Sequence, residues 1–210
     1  MRAEAGVVRV LRQAQHERGW DGCVIAVRAN RNPLPASPSP PSSPAMYDFA
    51  TTADLAKPEL YRELCAAADA LTTGEPDEVA NMANLAALLW QFVPRLNWAG
   101  FYRVQGRELV LGPFMGKPAC IRIPFGQGVC GAAAASAETQ LVADVHAFPG
   151  HIACDAASRS ELVVPVLRQG RTVIAVIDLD SPEPGRFDLD DARGIEALAA
   201  LIAPRIHARI

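Results

Sequence analysis

The chain has 210 residues, half of them apolar, and a formal charge of −3 at neutral pH. That is one domain plus extensions, with material for a real core. It carries no basic surplus that would recommend nucleic acid or an anionic membrane as a partner, and no window approaches the ~20 unbroken apolar residues of a membrane span.

Residues 1–45 read differently from the rest. Val7 to Ala14 is a candidate short helix without a clear partner, and Asn32 to Pro44 (NPLPASPSPPSSP) is a Pro/Ser run. Proline lacks the N–H and fixes φ, so this run is expected to be an extended, solvated linker. Met46 then begins a coherent domain sequence. The expectation is a disordered or non-native extension over 1–45 and a domain over 46–210, with Met46 as the native start.

Pro58 to Leu71 predicts a helix, with Pro58 near the first turn and Gly74 past the end. Asp77 to Phe92 predicts a second, on which Val79, Met82, Leu85, Leu89 and Phe92 form one apolar stripe; Pro94 stops it. Trp98 to Val104 and Glu108 to Leu111 read as strands joined at Gln105-Gly106. Ile121 to Pro124 is a short strand, Gly128 to Ala137 an Ala-rich helix after a glycine turn, and Gln140 to Val142 another short strand. Asp144 to Ser160 is a long polar loop. Leu162 to Leu167 and Thr172 to Leu179 form a hairpin about Gln169-Gly170. Asp188 caps a closing helix to Ala203, with a stripe of Ile195, Leu198, Leu201 and Ile202. This order predicts an α+β fold: an antiparallel sheet flanked by helices. A loop as long as 144–160 inside a compact domain is usually functional or disordered; this one carries Cys, His and Asp, which favours function.

The chemistry-bearing residues lie downstream. The chain lacks the basic, apolar, small-residue order of a signal peptide, and its cysteines are an odd set: Cys23, Cys65, Cys120, Cys130 and Cys154. Free thiols in a reducing cytoplasm fit this better than a disulfide framework. Cys65 within a helix and Cys23 upstream of the linker read as ordinary small hydrophobes. Cys120 (GPFMGKPAC), Cys130 (PFGQGVCG) and Cys154 (HAFPGHIACD) lie in or beside glycine-containing segments. A helix start such as that around Cys130 stabilises a thiolate. There is no CxxC. His146 and His151 with the cysteines can be imagined as a zinc site, but the cysteine spacings match no common zinc motif, so no metal is expected. Asp178 and Asp180, two apart on a strand, share a face. Two such carboxyls raise one pKa and create a proton donor or a cation site; the ordinary alternative is a strand end in water. Trp98, Phe101 and Tyr102 can wall an apolar pocket or simply pack the core.

NWAGFY, LGPFMGKPAC, RIPFGQGVCG, DVHAFPGHIACD and the Glu161…VIDLDSP tail resemble the free methionine-(R)-sulfoxide reductases, which are GAF-domain proteins; the match spans roughly residues 46–206. The resemblance implies a GAF-like antiparallel sheet flanked by helices. It implies Cys154 as the nucleophile, Cys120 as the cysteine that resolves it by a disulfide, and Cys130 as a third cysteine able to join disulfide exchange. Trp98 and Tyr102 match the aromatic wall of the substrate pocket. Glu161, Asp178 and Asp180 match the acids that hold the substrate's ammonium and assist its sulfoxide oxygen. It also implies free methionine sulfoxide as substrate, no bound cofactor, a thioredoxin-type external reductant and a homodimer. A small-ligand-binding or redox-sensing module without turnover is the competing expectation.

Overall fold

The computed structural model describes residues 55–150, 155–169 and 171–206. The expected extension over 1–45, the start at Met46, Cys23, His151 and Cys154 lie outside them.

The first helix, α1 (Lys57–Thr72), carries Pro58 in its first turn, where a missing N–H costs nothing. The second, α2 (Glu78–Phe92), is capped by Asp77, whose carboxylate accepts from the Val79 and Ala80 amides at 2.9 and 2.8 Å. Its buried stripe runs from Met82 through Leu85 and Leu89 to Phe92. The expected first member, Val79, lies in the opening turn and is 48% exposed.

The strands β1 (Trp98–Gln105), β2 (Glu108–Gly116), β3 (Arg122–Pro124), β4 (Gln140–Val142), β5 (Ser160–Arg168) and β6 (Thr172–Ser181) form one antiparallel sheet in the order β3-β2-β1-β6-β5-β4. Helix α3 (Gly128–Ser136) lies between β3 and β4, and α4 (Leu189–Ile202) closes the chain. The α+β expectation is met. Strand β2 runs five residues beyond the expected end at Leu111. Gly112 and Pro113 suggested a stop, but β3 pairs only with Glu108 to Val110, so Pro113 sits where β2 has β1 alone as neighbour and no second ladder needs its N–H. The β1–β2 register shifts between Gly100 and Tyr102.

The alternation of the strands gives the sheet two buried faces. On one, Ala99, Phe101, Leu162, Val164, Ile177 and Leu179 pack with α1, α2 and α4 in the larger core cluster. On the other, Trp98, Tyr102, Val163 and Val176 pack with Val129, Cys130 and Ala133 of α3. Phe101 therefore leaves the expected aromatic trio: it points to the opposite face from Trp98 and Tyr102, as a period of two requires.

The helical layer is tied down by a buried polar knot. Asp191 accepts from Tyr61 Oη at 2.8 Å and pairs with Arg186 at 3.2 Å and Lys57 at 2.6 Å, while Asp188 and Asp191 form a capping box at the start of α4. Here α1 and α4 touch closely: a Cβ on Gly194 would stand 2.1 Å from Tyr61 Cγ. Leu201, the expected fourth member of the α4 stripe, is only partly buried.

Candidate active site

The second sheet face gathers most of the expected site. Facing residues of neighbouring strands share a side, and the register sets Trp98 opposite Asp180 and Asp180 opposite Glu161. One step along, Gly100, Asp178 and Val163 form the next row. Trp98 and Tyr102 lie on the same face without lining the recess of Glu161, Asp178 and Asp180, which stand together beneath α3. The recess they line also takes in Ile123, Gln127, Cys130, Asp155 and Ser158. It measures about 20 Å³, room for about one water.

The aromatic wall depends on a missing side chain. Trp98 stacks on Tyr102 at 5.8 Å between ring centroids and on Phe114 at 5.2 Å, and its indole N–H donates to the Lys117 carbonyl at 3.1 Å. The ring lies over Gly100: a Cβ there would meet Trp98 Cη2 at 2.8 Å and Phe114 Cβ at 2.4 Å.

The acids are buried rather than at a wet strand end. Glu161 and Asp178 are each 6% exposed, and Asp180 is half-buried. None of the ion pairs among the described residues reaches them, and Asp178 Oδ1 has no hydrogen-bond partner. Burial, followed by the charges of Asp178 and Asp180, pushes Glu161 well above the carboxylate range. Burial and the neighbouring Asp178 do the same to Asp180, against a hydrogen bond from Ser158. Burial raises Asp178 to about 7, opposed by hydrogen bonds from Cys130 and Glu161.

Cys130 corrects the sequence expectation of a thiolate at a helix start. It is the third residue of α3, 4% exposed, with its thiol donating to Glu161 Oε1 at 3.9 Å. Burial first, then Asp178 and Glu161, pushes the thiol well above its ordinary value; desolvation and adjacent acids outweigh the helix dipole. Cys120 sits half-buried against this cluster, between β2 and β3. Cys65 packs part-buried on the other core, where burial raises its pKa. His146 is exposed in a short turn capped by Asp144.

The site includes residues the sequence did not single out. Asn97 donates to Asp155 Oδ2 at 3.3 Å and to Ser158 Oγ at 3.0 Å. Asp155 also accepts from the Ala157 amide and pairs with Lys117 at 3.1 Å; these contacts hold its pKa low. The Lys117–Asp155 pair joins the segment leading to Cys120 to the residue that follows Cys154 in the chain. Both stand inside the motifs GKPAC and GHIACD, so the only available signal was their position beside a cysteine.

A much larger hollow lies elsewhere: about 920 Å³ between β5, α4 and the turn after α3, lined largely by Val164, Pro165, Leu167, Ala199 and Ala203. It gathers no cluster of acids and thiols, so size is a poor guide to the chemistry here.

Comparison with known proteins places this geometry. The GAF domain family matches residues 75–207. The chain is 49% identical over 144 residues to the free methionine-R-sulfoxide reductase of Escherichia coli, covering 69% of this chain and 87% of that protein. It is 47% identical to Protein ZMO0507 of Zymomonas mobilis, over 75% of this chain and 97% of the other. A solved structure of free methionine-R-sulfoxide reductase from Neisseria meningitidis in complex with its substrate superposes with a TM-score of 0.73 at 44% identity, covering 78% of this chain and 97% of that one.

Proposed function

Since the chain belongs to the GAF domain family, and within it to the free methionine-R-sulfoxide reductases, we propose that it reduces free methionine (R)-sulfoxide to methionine with Cys154 as nucleophile. The observation that carries the substrate reading is the trio of buried Glu161 and Asp178 with half-buried Asp180, which has no cationic partner among the described ion pairs. An α-ammonium is the cation that a free amino acid supplies and a peptide-bound residue does not. Trp98 and Tyr102 offer an apolar wall to the thioether end. The recess holds about one water, so substrate entry requires the surrounding side chains to part.

In the proposed reaction the Cys154 thiolate attacks the sulfoxide sulfur to form a transient S–S bond; as the protonated oxygen passes from that sulfur to the Cys154 sulfur, the S–O and S–S bonds to the methionine sulfur both break and methionine leaves. The sulfoxide is reduced by two electrons to the thioether. Cys154 takes the oxygen and is oxidised to a sulfenic acid. Negative charge grows on the departing oxygen, and a carboxyl kept neutral by burial can supply the proton there. The Cys120 thiol then condenses with the sulfenic acid, forming a disulfide and releasing water. Cys130 is proposed to join later disulfide exchange, and a thioredoxin-type dithiol to restore the thiols. A homodimer with no bound cofactor is proposed from the resemblance, and a cytoplasmic location from the free-thiol reading of the cysteines; among the described residues no helix is long and apolar enough to cross a membrane.

Quenched single-turnover assays test the thiol roles. Cys154→Ser is expected to form no methionine. Cys120→Ser is expected to form about one methionine per chain and then stall, because the sulfenic acid lacks its resolving thiol. Sustained turnover by Cys154→Ser overturns the nucleophile assignment.

A further inference from the structure

The geometry points to a second ligand for the acid recess: a single thiophilic divalent cation, of which zinc is the type, held by Cys130 Sγ, Glu161 and Asp178. The donor atoms of these three buried residues lie within 4.8 Å of one another, with Cys130 Sγ and Glu161 Oε1 at 3.9 Å. Tetrahedral zinc with ligands at its usual lengths sets its donors roughly 3.6 Å apart, so the side chains need to draw in by no more than about an ångström. Asp178 lines this recess, and its Oδ1, buried and without a hydrogen-bond partner, is an acceptor already stripped of water.

Size supports the ion as well. The recess is too small for an amino acid as it stands but has room for about one water. That suits one ion whose fourth position is filled by Asp180, which lines the same recess. The donor set is selective. One sulfur with carboxylates suits zinc or cobalt, whereas magnesium and calcium demand six or more oxygens. Binding displaces the thiol and carboxyl protons, so affinity strengthens as pH rises. The ion takes the position proposed for the substrate's ammonium, so it acts as a reversible inhibitor; the inhibition, though not the binding, rests on the substrate reading above.

Cobalt is the probe, because a bound thiolate gives it a sulfur-to-metal charge-transfer band. Fully reduced protein is expected to bind one Co²⁺ per chain with that band, and Zn²⁺ but not Mg²⁺ is expected to displace it. The band should persist in the double variant Cys120→Ser/Cys154→Ser and vanish in Cys130→Ser. Affinity should fall at least about tenfold in Glu161→Gln and in Asp178→Asn, since each removes a protein ligand. A band that survives Cys130→Ser, or disappears with the double variant, overturns the site, as does unchanged affinity in both amide variants. Methionine (R)-sulfoxide is expected to compete with the metal. If Co²⁺ binds as described and the sulfoxide fails to compete, the metal site stands and the substrate reading falls.

Discussion

At Asp178 the needs of the site oppose those of the fold. A carboxyl buried with no cation beside it is destabilising once ionised, and its pKa rises from 3.8 to about 7. The folded chain therefore keeps a proton that the unfolded chain releases as pH climbs from about 4 to 7. This group's contribution to stability is fully present below the unfolded pKa and is lost as pH rises through 7. Asp178→Asn keeps the shape and removes the titration. Thermal unfolding at pH 4 to 8 is expected to show a flatter profile for the variant. At pH 8 the variant should be the more stable, by on the order of a few kcal/mol, while losing activity. A variant that loses stability at pH 8 relative to the parent contradicts the account. The spacing of two in VIDLD showed that Asp178 and Asp180 share a face. It did not show whether that face was wet, because burial here comes from α3, a helix thirty residues or more away in sequence.

Elements set the positions of these residues, and most were legible. The Asp188 cap, the hairpin at Gln105-Gly106 and the 3.6-residue stripes mark elements through local chemistry, and each element forms. The end of β2 and the loss of Phe101 from the aromatic wall depended on strand pairing, which local sequence does not reveal. Gly100 belongs with these: in NWAGFY it reads as a weak strand residue, yet the Trp98 ring occupies the space its side chain would fill. Gly100→Ala is expected to push that ring off Tyr102 and to force β1 away from β2 at Phe114, whose Cα would stand 2.8 Å from the new Cβ, lowering thermal stability and, in the protein that remains folded, lowering kcat/KM by about tenfold to a hundredfold. Unaltered kinetics in a folded Gly100→Ala protein would show that the aromatic wall does not position substrate.

Among the described residues, the sheet separates labour between its faces: helices α1, α2 and α4 stabilise one, and the other carries acids, thiol and aromatics under helix α3. Breaking the knot that binds the helical layer should therefore cost stability before it alters chemistry. Asp191→Ala leaves Arg186 buried without its partner and is expected to destabilise by about 3–5 kcal/mol, read by denaturant unfolding, with KM unchanged in the protein that remains folded. An altered KM would mean that the two faces are coupled. The most direct test of the central claim, that an unpaired acid trio selects a free amino acid, compares free methionine (R)-sulfoxide with its N-acetyl derivative, which has the same sulfoxide but no ammonium. The account predicts rapid methionine formation from the free compound and none above background from the acetylated one; equal rates on both would contradict it.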